Sequence, residues 1–382
     1  MKYLFPLFAA LFICCGSDDP AVDDTPQPEQ PDVNPPAVTV SDCVRGADVS
    51  WYTEMAADGK KFYTVDGRES DCMTLMQEIG MEAVRLRVWV QPENKGCHFS
   101  DCADVVRKAV AAKEAGLRVM IDFHYSDWWA DPSRQETPAA WTDLDETALL
   151  DSVGRHTTGV LTALRAAGVT PEWIQVGNET RNGMLHPTGQ LWNNSGDIAG
   201  GWQRFVALYN AGYEAAKEVF PTAKVMPHLN HAYENNLWWF DKFKALGGKF
   251  DMIALSHYPQ VDDNTKTWAE VNRLAVQQVN TLHLRYGVPV VISEVGVKAY
   301  DPATGAQVLA DFLDGLHNLN AAYGNSPRDI DPSICAGIFY WEPEVYGNWK
   351  PASYTDFGWG AYDMGAFTNA GQPNAALLEL LK

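Results

Sequence analysis

Two glutamates follow short apolar runs, at positions where carboxyl groups can carry out acid–base and nucleophilic chemistry. Glu179 follows Asn178 after the run Trp173–Gly177, and Glu294 comes directly after the run Pro289–Ser293. In double-displacement glycosidases one carboxyl protonates the leaving oxygen and the other attacks the anomeric carbon, at a separation of about 5 Å. The alternative is that both glutamates only pair with arginines or cap helices.

Polar and aromatic residues also gather at the ends of other apolar runs. The chain holds 14 Trp, 15 Tyr and 15 Phe. Flat aromatic faces suit sugar rings, although most aromatic residues in any protein fill its core. The polar and aromatic segments are 48–52, 85–89, 122–129, 256–258 and 340–342.

Eight short apolar runs alternate with amphipathic stretches from residue 46 to the end, which predicts a parallel sheet. No glycine-rich phosphate loop follows the first run, so a single (β/α)₈ TIM barrel in the α/β class is favoured over a dinucleotide-binding fold. We find no composition break within 41–382, so these residues are expected to form one domain. The predicted strands are Gly46–Trp51, Met81–Val90, Leu117–His124, Trp173–Gly177, Lys224–His228, Met252–Ser256, Pro289–Ser293 and Ala336–Trp341, and the predicted helices include Asp101–Ala115, Glu146–Ala167, Trp202–Val219 and Ala306–Leu319.

The predicted barrel accounts for the position of the polar groups. Active sites of such barrels lie at the C-terminal ends of the strands. The fourth and seventh strands, which carry Glu179 and Glu294, face each other across the barrel mouth. The pair is therefore expected to be catalytic.

Several segments resemble a known family. Asn178-Glu179 with Glu294 is similar to the pattern of retaining (β/α)₈ glycoside hydrolases. More specifically, residues 43–382 resemble glycoside hydrolase family 53, the endo-β-1,4-galactanases. The resemblance implies endo-acting cleavage of β-1,4-linked galactan, the side chain of pectic type I arabinogalactan. It rests on segments 46–50, 85–89, 122–132, 175–179 and 292–294.

The family resemblance assigns roles by position. Glu179 would be the proton donor and Glu294 the nucleophile. Asn178 would donate to the sugar 2-hydroxyl, Tyr258 would hydrogen-bond Glu294, and Arg87 would lie beneath Glu294. For the last three residues, and for the further substrate-binding residues named next, the alternative is barrel-interior packing or a structural ion pair.

Further substrate-binding residues follow from the same resemblance. Asp48 and His124 would line the floor of the subsite, Trp128 would contact substrate, and Trp341 would be the platform under the sugar at the cleavage point. The pair Trp238-Trp239 is more typical of helix packing than of a subsite.

A structural calcium site, which several bacterial relatives carry after the seventh strand, is only weakly indicated. The loop 297–305 holds a single acid, too few oxygens for a hard cation. The candidate set is Asp301 with Ser353 and Asp356. No cofactor is expected to be required.

The N-terminus reads as an export signal and an anchor. An apolar run ends at Cys14-Cys15, which resembles a bacterial lipoprotein cleavage site, and Cys15 is the expected lipid acceptor. Residues 1–14 are then the signal peptide, and residues 15–40 form an acidic, proline-rich linker. The acidic residues after Cys15 resemble the surface-export signal of Bacteroides-type lipoproteins, so an outer-membrane, surface-exposed protein is expected. The alternative is an ordinary signal peptide.

Cysteine content and charge restrict the partners. Export favours disulfides, and Cys97 with Cys102 is the expected pair. The formal charge is −20, which disfavours binding to nucleic acid. A monomer acting on β-1,4-galactan is expected.

Two rival functions remain open from sequence. A related retaining barrel hydrolase would cleave another β-1,4-glycan, such as mannan, glucan or xylan. A surface glycan-binding lipoprotein without catalysis would lack one glutamate, and both glutamates are present.

Overall fold

The computed structural model describes residues 43–320 and 329–382, in which strands and helices alternate along the chain. Eight parallel strands surround a common axis, and the fifth consists of two halves. The strands are β1 Val44–Asp48, β2 Ala83–Val88, β3 Arg118–Phe123, β4 Trp173–Val176, β5a Lys224–Met226, β5b His228–Leu229, β6 Ile253–His257, β7 Val290–Val295 and β8 Cys335–Trp341.

Hydrogen bonding closes the sheet into a barrel. Neighbours pair in the order β5a-β4-β3-β2-β1-β8-β7-β6-β5b. The two halves of the fifth strand are separated by Pro227, which has no N–H to donate. Its carbonyl still accepts the Ala254 N–H at 3.0 Å, so the fifth strand is bonded on both sides. The predicted (β/α)₈ barrel is confirmed.

Helices cover the outside of the barrel and bury one apolar face each. In α3, for example, Val105, Ala109 and Ala112 are buried, and Asp101 caps the first turn by accepting the Asp104 N–H at 2.7 Å. The helices are α1 Tyr52–Ala57, α2 Cys72–Ile79, α3 Cys102–Glu114, α4 Glu146–Ala166, α5 Gly201–Val219, α6 Leu237–Ala245, α7 Trp268–Tyr286, α8 Pro302–His317, α9 Ala352–Phe357 and α10 Ala375–Leu380.

The loops contain short 3₁₀ helices and two-residue strands. Single turns of 3₁₀ helix span Pro92–Lys95, Ala139–Trp141, Thr180–Asn182 and Asn318–Asn320, and two-residue strands pair as Phe62–Tyr63 with Glu69–Ser70, Gly183–Met184 with Gly189–Gln190, and Trp192–Asn193 with Gly196–Asp197. Within the part of the chain that is described, no helix is both long and apolar enough to span a bilayer.

The barrel interior has an apolar lower part and a polar upper part. Strand side chains alternate between the interior and the helices, so β2 turns Val84 and Leu86 outward and Arg85 inward. Gly46 leaves room for the interior ring of Phe339, since a Cβ there would lie 2.4 Å from that ring. The apolar lower part of the interior closes the end of the barrel opposite the mouth. It consists of Val44, Ala83, Met120, Trp173, Met226, Met252, Ala254, Val291 and Phe339.

Candidate active site

Arg85 on β2 lies at the centre of the polar layer and is buried. Its Nη1 is 2.7 Å from Asp48 Oδ2, and its Nη2 is 2.9 Å from both Asp122 Oδ2 and Glu294 Oε1. Burial opposes the charge of Asp122, but Arg85 and His124 outweigh it and hold the Asp122 pKa at about 2. One guanidinium therefore supports three carboxylates.

Glu294 lies near the end of β7 and is almost fully buried. Besides the contact with Arg85, its Oε2 accepts the Tyr258 hydroxyl at 2.8 Å. Burial raises the pKa of Glu294, while Arg85 and Tyr258 oppose that rise. Both carboxylate oxygens thus have a partner that favours the ionised form.

Glu179 lies three residues beyond the last residue of β4 and adopts a left-handed backbone conformation, with φ of 47°. This turn directs its side chain toward β6, where Ser256 Oγ donates to Glu179 Oε1 at 2.7 Å. The same Ser256 Oγ lies 3.4 Å from Glu294 Oε2. One hydroxyl therefore stands between the two carboxyl groups.

His228 on β5b fixes the direction of that hydroxyl. Its Nδ1 accepts the Glu179 N–H at 3.3 Å and lies 3.0 Å from both Gln175 Nε2 and Asn178 Oδ1. An Nδ1 that accepts leaves the proton on Nε2, which lies 2.8 Å from Ser256 Oγ and donates to it. Burial and the charge of Arg85 lower the pKa of His228 well below its ordinary value, so the ring is neutral.

The two glutamates differ in how firmly they hold a proton. Burial, followed by the negative charge of Glu294, raises the pKa of Glu179 well above its ordinary value. Among the residues that the structure describes, no cation forms an ion pair with Glu179, whereas Arg85 contacts Glu294. Of the two, Glu179 is therefore the group that holds its proton more firmly.

Asn178 is held by groups on neighbouring strands and loops. Its Nδ2 donates to Ala130 O at 2.7 Å, its Oδ1 accepts from Arg85 at 2.9 Å, and its backbone carbonyl accepts from Gln135 at 2.8 Å. The second Nδ2 hydrogen remains available at the cavity wall. Asn178 can therefore donate one hydrogen bond to a molecule in the cavity.

The carboxyl pair opens into a cavity of about 210 Å³. Trp341 at the end of β8 forms part of its wall, with its ring edge-on to Tyr362 at a centroid distance of 4.8 Å. The wall consists of His124, Trp129, Ala130, Asp131, Asn178, Glu179, Tyr258, Glu294, Trp341, Tyr354 and Trp359. Two acids, an amide and several aromatic rings around one small space form a site that can bind a sugar and cleave its glycosidic bond.

His124 lies in the cavity wall as a neutral group. Its Nδ1 accepts from Trp89 Nε1 at 3.3 Å and from the Ala130 N–H at 3.1 Å, so its proton is on Nε2, 3.0 Å from Asp122 Oδ2. Burial lowers its pKa despite Asp122.

The expectation that Arg87 lies beneath Glu294 is wrong. Arg87 Nη1 pairs with Glu342 Oε1 at 2.9 Å, and its guanidinium stacks on Trp129 at 4.3 Å from the ring centroid. Both arginines of β2 point inward, but Arg87 is two residues closer to the mouth than Arg85. It lies at the height of Glu342, the residue that follows β8. Arg85 holds the place that was expected for Arg87.

Asp48 and Trp128 do not line the cavity. Asp48 is fully buried at the level of Arg85, and its other oxygen accepts from Ser50. Trp128 packs on Phe357 with ring centroids 3.9 Å apart and donates to Glu136 at 3.0 Å. Its chain neighbour Trp129 lies in the wall instead.

The calcium candidates do not come together. Asp301 caps α8 by accepting the Thr304 N–H at 3.1 Å, and buried Ser353 accepts from Trp129 Nε1 at 3.0 Å. Asp356 is exposed on α9, near Gly96. Among the described residues no group of three or more acidic, histidine or cysteine side chains is placed to hold a metal, and each of the three candidates has a different neighbour instead of a shared one.

The expected disulfide is also absent, since Cys97 and Cys102 are not bonded to each other. Buried Cys97 instead directs its thiol to Phe99 O at 3.7 Å, and Cys102 begins α3.

The signal peptide 1–14, Cys15 and the linker 15–40 lie outside the described residues.

Besides Arg85 and Trp129, four residues that organise the site were not identified from sequence as site residues. Ser256 and His228 lie inside strands and carry no motif of their own. Trp359 and Tyr354 come from the segment after β8, whose path across the mouth has no local signal. The segment matters because Trp359 and Tyr354 form one wall of the cavity.

The fold and the carboxyl pair define a (β/α)₈ glycosidase. The sequence profile of Glycosyl hydrolase family 53 matches residues 44–380, and the chain belongs to this family.

Curated relatives and solved structures agree with this placement. An arabinogalactan endo-β-1,4-galactanase of Cellvibrio japonicus is 30% identical over 340 residues, which cover 81% of this chain and 86% of the relative. One from Humicola insolens is 28% identical, covering 86% and 96%. The GH53 catalytic domain of Ignisphaera aggregans superposes with a TM-score of 0.74 at 27% identity, covering 91% of this chain and 98% of that domain. A fungal β-1,4-galactanase structure shares the fold with a TM-score of 0.72 at 23% identity, covering 89% and 99%.

Proposed function

We propose that the protein is an endo-acting, retaining glycoside hydrolase that cleaves β-1,4-galactosidic bonds in the galactan of type I arabinogalactan. The observation that carries this proposal is the shared hydroxyl of Ser256, 2.7 Å from Glu179 and 3.4 Å from Glu294. It places an acid and a carboxylate on the same small cavity. The choice of glycan is supported by the relatives named as arabinogalactan endo-β-1,4-galactanases.

The separation of the carboxyl groups supports retention of configuration. The sum of the two distances through Ser256 Oγ is an upper limit on the separation of the nearest carboxyl oxygens. That limit falls short of the roughly 6.5 Å at which inverting pairs begin. A retaining pair leaves room for a sugar carbon between the groups but not for an additional nucleophilic water.

In the first step Glu179 donates a proton to the leaving oxygen while Glu294 attacks the anomeric carbon. Glu179 Oε1 accepts from Ser256, so its acid proton is on Oε2, which is free to meet the leaving oxygen. The glycosidic bond breaks, a glycosyl ester forms on Glu294, and the shortened chain departs with the proton.

In the second step water hydrolyses the ester. The charge of Glu294 helps to keep Glu179 protonated, and that charge disappears when the ester forms. The pKa of Glu179 then falls, so Glu179 becomes a base that takes a proton from the attacking water. The cycle ends with Glu294 ionised and Glu179 protonated.

Two wall residues would stabilise the transition state. The free Nδ2 hydrogen of Asn178 can donate to the sugar 2-hydroxyl, a contact that strengthens as charge develops on the ring. The Trp341 ring can stack beneath the same sugar. All groups of the site come from one chain, and we propose that the protein acts as a monomer.

Product analysis on linear β-1,4-galactan tests the proposal. We expect oligosaccharides of several lengths from the start, and NMR should detect the β-anomer as the first product. Mannan, glucan and xylan in the same assay identify the alternative glycans. Preferred cleavage of one of these, or an α-anomer as first product, contradicts the proposal.

We further propose that the protein is an outer-membrane lipoprotein exposed at the cell surface and anchored through Cys15. The support is the apolar N-terminal run, the cysteine pair and the acidic linker. In cell fractionation Cys15→Ala should release the protein from the membrane, while the matched variant Cys14→Ala should leave it attached. Membrane attachment that survives the Cys15 change and is lost with the Cys14 change would place the lipid on Cys14.

A further inference from the structure

An exposed aromatic surface lies on the mouth side of the barrel, outside the cavity. Trp238 is in the first turn of α6, which follows β5b, and Trp192 is in a loop strand after β4. Their ring centroids are 6.0 Å apart, and Trp202 packs edge-on against Trp238 at 6.2 Å. Both elements follow C-terminal strand ends, so the surface lies at the same end of the barrel as Glu179.

Trp238 is unusual among the tryptophans in being exposed. It is 44% exposed, whereas the next residue, Trp239, is fully buried. Among the described residues the other exposed tryptophan is Trp359, in the wall of the catalytic cavity. Helix packing therefore accounts for Trp239 but leaves the Trp238 ring facing solvent.

Polar groups that suit sugar hydroxyls flank this ring. The guanidinium of Arg181 lies 5.9 Å from the Trp238 ring centroid, forms an ion pair with Glu234 and donates to Asn236 Oδ1 at 2.7 Å. An apolar ring beside charged and amide groups matches a sugar, which presents an apolar face and a rim of hydroxyls.

The surface is rigidly connected to the catalytic acid. Trp239 Nε1 donates at 2.9 Å to the carbonyl of Arg181, which is two residues after Glu179. The Asn182 side chain both donates to and accepts from the Trp192 backbone, at 3.1 and 2.9 Å. Little ordering is therefore needed when a ligand binds.

The direction from the cleavage point identifies the part of the substrate that would reach this surface. Trp341, the proposed platform for the attacked sugar, is on β8, and β4 lies opposite β8 in the eight-stranded ring. Glu179, at the end of β4, must lie beside the leaving oxygen. The leaving part of the chain therefore continues past Glu179 and away from β8, toward Trp192 and Trp238.

We propose that Trp238 and Trp192, with Arg181 and Glu234, bind a sugar of the polysaccharide on its leaving-group side. This inference rests on the proposed function and adds a binding site outside the catalytic cavity. It makes long chains better substrates than short ones, because only a long chain reaches both the cavity and this surface.

The test compares Trp238→Ala with the wild type on two substrates. On polymeric β-1,4-galactan, kcat/KM should fall by about tenfold, the effect of losing one aromatic stacking contact. On an aryl β-galactoside, whose leaving group carries no sugar, kcat/KM should be unchanged. Trp238→Phe keeps an aromatic face and should restore most of the activity on polymer. Leu284→Ala is the matched control, since it removes another exposed apolar side chain, near the C-terminal end of α7.

Each outcome decides the inference. Equal activity of Trp238→Ala and wild type on the polymer overturns it and leaves the proposed function intact. Equal losses on both substrates also overturn it, since they indicate a disturbed Glu179 segment rather than lost sugar binding. A wild-type enzyme that does not cleave galactan refutes the proposed function, and the inference as stated fails with it.

Discussion

Replacing Arg85 by lysine tests which arginine keeps Glu294, the proposed nucleophile, ionised. Arg85 Nη2 lies 2.9 Å from Glu294 Oε1, whereas Arg87 pairs with Glu342. A lysine keeps the positive charge, but one ammonium cannot reproduce the planar fork that reaches three carboxylates. Arg87→Lys is the matched control, because it changes the same residue type on the same strand without touching Glu294.

The size of the effect follows from the lost contact. A hydrogen bond to a charged group contributes about 1.5 to 3 kcal/mol, and one pKa unit corresponds to about 1.4 kcal/mol. The pKa of Glu294 should therefore rise by about one to two units in Arg85→Lys. A higher pKa means that more of the nucleophile is protonated at a given acidic pH. The acidic limb of kcat/KM should move to higher pH by the same amount, and activity on that limb should fall about 10- to 100-fold.

The assay is the pH dependence of kcat/KM on an aryl β-galactoside for wild type and both variants. Near-UV circular dichroism and urea denaturation establish which pH range leaves each variant folded. We expect a displaced acidic limb in Arg85→Lys and an unchanged one in Arg87→Lys. Equal displacement in the two variants, or none in either, would refute the assignment of Arg85 to Glu294.

Three further predictions concern the acids and the platform. Glu294→Ala should be inactive on all substrates. Glu179→Ala should retain activity on aryl substrates with good leaving groups, and added azide should rescue it. Azide rescue of the Glu294 variant that gives the retained β-azide product would reverse the two roles. Trp341→Ala should fold but lose about tenfold or more in kcat/KM, with a smaller loss in Trp341→Phe, and near-normal turnover of the alanine variant would rule out the platform. Burial and the charge of Glu342 raise the pKa of Glu344 well above its usual range, and burial followed by Asp48 raises that of Glu342 from 4.5 to about 7. Acids with raised pKa values bind protons more tightly in the folded state, so wild-type stability falls as pH rises above the ordinary pKa of a glutamate. Glu344→Gln should therefore raise the melting temperature at alkaline pH and change it little at acidic pH. Equal changes at both pH values would contradict this prediction.

Strand existence could be predicted from sequence, but strand ends depend on local side-chain bonds. The first strand was expected at Gly46–Trp51 and is Val44–Asp48. It ends because Asp48 Oδ1 accepts the Ser50 N–H at 3.0 Å and turns the chain out of the sheet. Helix α8 begins at Pro302 rather than at residue 306, since Asp301 caps it. An Asp-Pro pair at a helix start is a readable signal, and apolar periodicity alone missed it.

The closeness of the two carboxyl groups could be predicted, because each glutamate follows an apolar run and the barrel places the ends of those runs together. The supporting arginine could not, since Arg85 and Arg87 have the same type, strand and face. The choice between them depends on how far neighbouring strands are shifted along the barrel axis. In the strand register, Asp48 on β1 lies opposite Arg85 on β2 and opposite Trp341 on β8. This register places Glu342, the residue after Trp341, beside Arg87. No pattern within a single strand contains that information.

Charge balance in the polar layer explains why the pKa of Glu179 is raised. The two arginines of this layer, Arg85 and Arg87, are already paired with four carboxyl groups, namely Asp48, Asp122, Glu294 and Glu342. A further negative charge on Glu179 would have no cation to meet it and would face Glu294 across the Ser256 hydroxyl. In the proposed reaction the layer loses one negative charge when Glu294 becomes an ester, and only then can Glu179 ionise at low cost. The same buried arrangement that sets the resting protonation states therefore also controls when the proton returns.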